Sequence, residues 1–192
     1  VNDNLSRKET ARAGTALVII DMISAWDYPQ GDHMLRSALR IGPAIARLKQ
    51  RCARLSVPVI YANDNAGHWR SDIRQLVALS ESVGGTATAL TQLLAPALED
   101  YVMLKPKHSA FFATPLDLLL QHIGVTHLIL AGVSSDACVL ATALDARMRD
   151  YELVVPRDCI GSLTPRRTAA SLTYFRQVLQ VPTTTSSRIR LA

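Results

Sequence analysis

Apolar residues fall into two alternating patterns along the chain. Residues 15–20 form a nearly unbroken β-branched and aliphatic run, and residues 57–62, 101–104 and 127–131 repeat it. Runs of that length and composition predict strands buried on both faces of a parallel sheet. Shorter apolar stretches at 153–155 and 181–185 predict a fifth and a sixth strand. Between them the period changes. Residues 34–55 place Leu35, Leu39, Ile45, Leu48 and Cys52 at helical spacing, with a break expected at Gly42-Pro43. Residues 70–95 are helical in pattern but interrupted at Gly84-Gly85, and 116–123, 137–149 and 165–179 predict three further helices.

Strands alternating with helices imply right-handed crossovers and a sheet covered on both sides. The expected fold class is therefore α/β, a Rossmann-like three-layer α-β-α sandwich with a mainly parallel six-stranded sheet. No linker divides the chain, so residues 1–192 are read as a single domain, with about 1–13 as a loose N-terminal arm. Residues 22–33 read as a long loop, with Pro29 and Gly31 as turn residues.

Composition narrows the class. With 192 residues, 48% of them hydrophobic, the chain can bury a sizeable core. Its apolar runs are far too short to cross a bilayer, and Asn2, Asp3, Asn4, Arg7, Lys8 and Glu9 leave no room for a signal-peptide apolar region, so a cytoplasmic location and no membrane partner are expected. Three cysteines, Cys52, Cys138 and Cys159, make an odd number without framework spacing. The net charge of +5 is spread among dispersed arginines and lysines, and aromatic residues make up only 5% of the chain, so no nucleic-acid partner is expected.

Candidate chemistry centres on Ala131-Gly132-Val133-Ser134-Ser135-Asp136-Ala137-Cys138-Val139-Leu140, which reads as strand, turn and helix N-terminus. Free N–H groups and the helix dipole there favour a thiolate at Cys138, and small neighbours let a ligand carbonyl approach the backbone. The competing reading is a small buried cysteine packed under a helix. Asp21 ends the first strand and Lys105 leaves the third. In an open α/β sheet ligands bind at those carboxyl ends, so acid, base and thiol can meet in one cleft. Asp64 and His68 are two metal-type ligands without a third, and an Asx turn is the better reading of that segment, so no metal is expected. Trp26 and Tyr28 are candidates to line a pocket.

Leu17-Val18-Ile19-Ile20-Asp21-Met22, Lys105-Pro106-Lys107-His108-Ser109-Ala110-Phe111-Phe112, and Gly132 to Val139 with Thr142 and Asp145-Ala146 beyond, resemble the isochorismatase-like cysteine hydrolases. These include nicotinamidases, N-carbamoylsarcosine amidohydrolases and ureidoacrylate amidohydrolases. The resemblance implies Cys138 as nucleophile, Asp21 as general base and Lys105, rather than the competing Lys107, as the positive partner. It also implies a cis peptide between Val133 and Ser134, an oxyanion hole from the backbone N–H groups of Ser134 and Cys138, no cofactor, and a homodimer or homotetramer. The activity implied is cysteine-dependent hydrolysis of a small amide, carbamoyl or ureido compound through a thioester.

The sequence departs from the nicotinamidase pattern where Asn65-Ala66-Gly67-His68 follows Asp64, leaving only part of a metal motif and speaking against nicotinamide. A vinyl-ether hydrolase and a non-catalytic binding protein are the alternatives. Trp26, Asn63, Asp64, Trp69 and Phe111 are the candidate substrate contacts, with Arg70 or Arg74 as partners for a carboxylate. Asp136, Asp145, Asp158 and Cys159 are read as structural, and His108 as a loop residue beside the lysine.

Overall fold

The computed structural model describes residues 14–65, 67, 69 and 72–191. The strands are β1 (Gly14–Ile20), β2 (Val59–Asp64), β3 (Tyr101–Lys105), β4 (Val125–Val133), β5 (Glu152–Val154) and β6 (Ile160–Gly161). The helices are α1 (Gly31–Arg54), α2 (Ile73–Ser82), α3 (Gly85–Leu94), α4 (Leu116–His122), α5 (Cys138–Arg147) and α6 (Pro165–Gln177). All strand pairings are parallel, in the order β3-β2-β1-β4-β5, with β6 also beside β4. The expected N-terminal arm lies outside the described residues.

Alternation along the strands builds the three layers. Leu17 and Ile19 of β1 face a core shared with α1 and α3, through Ile45, Leu48, Leu90 and Leu94. Ala16, Val18 and Ile20 face the opposite core with Leu116, Leu120, Val139 and Phe175 from α4, α5 and α6. Phe175 is fully buried, and burying a ring of that size contributes about 2 kcal/mol. Thr164 caps α6 by accepting a hydrogen bond from the Arg167 N–H (3.2 Å), with Pro165 pre-set at the first helical position.

Three elements differ from expectation. α1 runs unbroken through Gly42-Pro43 and starts at Gly31 rather than residue 34, which shortens the preceding loop. The helix tolerates Pro43 at the cost of a backbone hydrogen bond. Gly42 serves packing there, because a Cβ would sit 2.7 Å from Leu90 Cδ1. The sixth strand is Ile160–Gly161, not 181–185. Residues 181–185 accept isolated bonds, from Val155 N–H to Pro182 C=O (2.9 Å), from Arg157 N–H to Thr184 C=O (3.2 Å) and from Arg188 N–H to Thr185 C=O (3.0 Å), and Pro182 has no N–H to return. β4 is longer than 127–131, because pairing with β6 carries it through Val133.

The site's position follows from this topology. From β1 the chain moves outward to β2 and β3, then returns on the other side of β1 at β4. The crevice at such a switch point opens at the carboxyl ends of β1 and β4. Gly132 lets the two strands meet there: its φ is +116°, and a Cβ would lie 2.0 Å from the Ile20 carbonyl oxygen. No described helix is long and apolar enough to cross a membrane.

Candidate active site

Asp21, the first residue beyond β1, has φ +53°, a left-handed conformation that costs a non-glycine residue about 1 kcal/mol or more. Its backbone N–H donates to the Ala62 carbonyl (3.1 Å), and its Oδ1 accepts the Asp64 N–H (2.7 Å), so the end of β2 fixes the carboxylate. Lys105, the last residue of β3, is fully buried and reaches past β2 to place Nζ 2.9 Å from Asp21 Oδ2. The same ammonium lies 3.6 Å from Cys138 Sγ, 3.7 Å from Asp64 Oδ2 and 3.2 Å from the Lys107 carbonyl oxygen. Only the backbone of Lys107 takes part; its side chain is exposed.

Cys138 opens α5, as its sequence context predicts. The peptide between Val133 and Ser134 is cis. Within the turn, the Ala137 and Val139 N–H groups donate to the Ser134 carbonyl (3.1 Å each), and the Ser135 N–H donates to the Gly161 carbonyl (2.7 Å). Those of Ser134 and Cys138 find no acceptor among the described residues. Asp136 holds the turn from outside, accepting hydrogen bonds from Ser134 Oγ, Ser162 Oγ and Arg167 Nε.

Burial and charge act against one another in this cluster. Burial pushes the Cys138 thiol up to about 12, the Asp21 charge adds to that shift, and the opposing pull of Lys105 does not offset it. Desolvation thus works against the thiolate that the helix N-terminus favours. Burial also raises the Asp21 carboxyl above the usual carboxylate range, although the Lys105 charge and the hydrogen bonds from Cys138, Lys105 and Asp64 pull it down. For Lys105, burial works against the charge, but the Asp21 carboxylate, followed by Cys138 and Asp64, holds the ammonium above its ordinary value.

A cavity of about 680 Å³ opens over these groups. Asp21, Cys138, Ser134 and His108 lie at its base, and Ile23, Met34, Leu76 and Leu79 supply apolar wall. Of the expected substrate contacts, Asn63 and Asp64 line it and Trp26, Trp69 and Phe111 do not. Both polar ends of the Asn63 amide are taken by the Ile23 backbone, accepting its N–H (3.3 Å) and donating to its carbonyl (2.5 Å), so Asn63 shapes the loop. Trp26 is buried beside Tyr28, with its Nε1 unpartnered among the described residues. Trp69 is 79% exposed. Phe111 packs between the Tyr151 ring and the Arg149 guanidinium, on the far side of its loop. Arg74 is exposed and lies outside the lining; Arg70 and His68 fall outside the described residues.

Two lining residues carry more than their sequence context conveys. His108 is a cavity residue with Nδ1 3.5 Å from Cys138 Sγ, not merely a neighbour of the lysine. Its placement three residues beyond a strand-end lysine was the available signal. Tyr28 lines the cavity, and its hydroxyl is raised to about 12 by burial, then by the charges of Asp21 and Cys138. The Asx turn of the β2 loop is made by Asn65, whose Oδ1 accepts the Gly67 N–H (3.0 Å). Asp158 is structural, accepting the Ser186 N–H and hydroxyl at 2.7 Å each. Among the described residues no group of three or more His, Cys, Asp or Glu could hold a metal ion.

The parallel sheet, with an acid, a lysine and a cysteine gathered at its carboxyl edge, defines an α/β protein with a candidate reactive centre, and comparison with known proteins specifies the family. Residues 15–187 match the isochorismatase domain. The chain is similar to the uncharacterized isochorismatase family protein YaaI of Bacillus subtilis, 36% identical over 93% of this chain and 98% of that one. It is also similar to the maleamate amidohydrolase of Pseudomonas putida, 29% identical over 76% of this chain and 71% of the relative. The N-carbamoylsarcosine amidase of Thermoplasma acidophilum superposes with a TM-score of 0.70 at 25% identity, covering 93% of this chain and 99% of that structure. The chain belongs to the isochorismatase family and is a hydrolase of that fold.

Proposed function

We propose that the protein hydrolyses a small amide, carbamoyl or ureido compound through a thioester on Cys138. The observation that carries this reading is the cluster at the cavity floor, where Lys105 Nζ stands 2.9 Å from Asp21 and 3.6 Å from Cys138 Sγ. The amidohydrolase activities named for the Pseudomonas and Thermoplasma proteins support the C–N bond as the one cleaved.

The buried thiol and its neighbouring carboxylate set the order of events. Cys138 gives its proton to Asp21 as sulfur attacks the carbonyl carbon, and the raised pKa of Asp21 makes it the stronger base for that transfer. Lys105 balances the negative charge shared by carboxylate and sulfur. The unpaired N–H groups of Ser134 and Cys138 take the developing oxyanion, and each such donor is worth about 3 kcal/mol in the transition state. Asp21 then protonates the leaving nitrogen, the C–N bond breaks, and water hydrolyses the thioester.

Ammonia release from a panel of small primary amides and ureido acids, with maleamate and N-carbamoylsarcosine among them, tests the reading. At least one should be turned over by the native protein and not by Cys138→Ala. Turnover that survives Cys138→Ala, or no release from any compound together with no acyl adduct at Cys138, would overturn it.

A further inference from the structure

Cys138 is flanked by two groups able to accept a proton, and the mechanism above uses one. Asp21 lines the cavity beside the sulfur, its Oδ1 accepting the Asp64 N–H and its Oδ2 paired with Lys105. His108 approaches from the cavity, with Nδ1 3.5 Å from Sγ and an exposed side chain. Water reaches a thioester through the cavity that both groups line.

The loop that carries His108 is tied to the helix that carries the nucleophile. Lys105 Nζ donates to the Lys107 carbonyl (3.2 Å), the Ala110 N–H donates to Thr142 Oγ1 (3.0 Å), and that hydroxyl donates to the Cys138 carbonyl (2.7 Å). Thr114 Oγ1 closes the loop's far end onto the Ala110 carbonyl (2.5 Å). His108 thus sits between two fixed points, two residues before Ala110 and three after Lys105. The charged or titratable groups that face it across the cavity are Asp21, Asp27, Tyr28, Asp64 and Cys138, with Lys105 beneath.

We infer that His108 is a catalytic residue of the second half-reaction, the base that activates water against the Cys138 thioester; the inference rests on the cysteine-hydrolase reading. In the acyl-enzyme the sulfur carries no proton, so the imidazole nitrogen beside it is free to take one from water. The water oxygen bonds to the acyl carbon as its proton passes to His108. The C–S bond then breaks, the carboxylic acid leaves, and the proton on His108 passes to the departing sulfur, restoring the thiol. Asp21 serves the first half-reaction and His108 the second.

p-Nitrophenyl acetate is the probe, because its leaving group needs no protonation. The acetyl-enzyme is formed, excess reagent is removed, and loss of the acetyl group from the Cys138 peptide is followed by mass spectrometry. His108→Gln and His108→Asn should acetylate at the native rate and lose the acetyl group about 100-fold more slowly. Imidazole added to His108→Ala should speed that loss, a rescue that a purely structural role would not give. Deacylation at the native rate in both His108→Gln and His108→Asn overturns the assignment, as does failure of those variants to acetylate at all. A native protein that takes no acetyl group at Cys138 overturns the parent reading instead.

Discussion

The Lys105 ammonium lies 2.9 Å from the Asp21 carboxylate although β2 separates the strands that carry them. Only a long side chain at the end of β3 can span that gap, and the lysine makes the crossing fully buried.

Lys105→Met therefore strands a largely buried carboxylate. Removing one partner of such a pair costs about 3 kcal/mol, which urea unfolding at neutral pH should show alongside loss of turnover. The folded protein holds the Lys105 proton more tightly than the unfolded chain does. That part of the stability is fully present below the unfolded value of about 10.4 and is lost as pH rises through the folded one. Native stability should thus converge on that of Lys105→Met in strong alkali, and a constant gap would contradict the pairing.

Cys138 alkylation reads the electrostatics directly. With the thiol pushed up to about 12 by burial and then by Asp21, labelling by iodoacetamide should climb steadily from pH 7 to 10. Asp21→Asn removes one cause and leaves Lys105 in place, so the thiol becomes more acidic and labels about tenfold faster at pH 7 for each unit it falls, while amide turnover is lost. A native labelling curve that levels off below the free-cysteine value of about 8.5 would show a resting thiolate instead.

The layout of this site was legible because parallel strands end on one side of a sheet. Once residues 15–20, 101–104 and 127–131 read as strands, Asp21, Lys105 and Cys138 had to share an edge. Side-chain direction was not legible in the same way. Trp26 and Phe111 sit beside site residues in sequence yet turn into the protein, whereas Tyr28 and His108 turn toward the cavity. Local pattern also fails where tertiary contacts decide. The two-residue β6 exists only because β4 continues past Ala131, and Gly42-Pro43 stays helical because α1 packs on α3 across it.

Asp136 links acid stability to the turn before Cys138. Burial opposes its charge, but hydrogen bonds from Ser134, Ser162 and Arg167 outweigh that and hold its carboxyl below the usual carboxylate range. A depressed folded value gives stability that is present above the unfolded value of about 3.9 and is lost as pH falls through the folded one. Asp136→Asn should accordingly be less stable than the native protein at pH 6 by urea midpoint, with the difference shrinking below pH 4. A difference that does not change with pH would mean that the carboxylate charge contributes nothing to the turn.

Gly132 shows how tightly the turn before Cys138 is bound to the fold. It is the last residue but one of β4, its N–H donates to the Cys159 carbonyl (2.8 Å), and it is paired with Ile20, the residue before Asp21. An alanine methyl group would have to occupy space 2.0 Å from the Ile20 carbonyl oxygen, at a φ of +116° that side chains rarely adopt. Neither conflict can be relieved by a rotamer change, because both involve backbone, so β1 and β4 must separate at the point where they deliver Asp21 and the turn before Cys138. Gly132→Ala should lose about 3 kcal/mol or more of stability in urea unfolding. Gly84→Ala provides the control. Gly84 also has a positive φ, +81° with ψ 176°, a region that favours glycine, but a Cβ there meets nothing within 4 Å, so only the backbone cost, about 1–3 kcal/mol, should appear, less than at Gly132. Equal losses in the two variants would mean that conformation alone, and not the contact with β1, makes glycine necessary at 132.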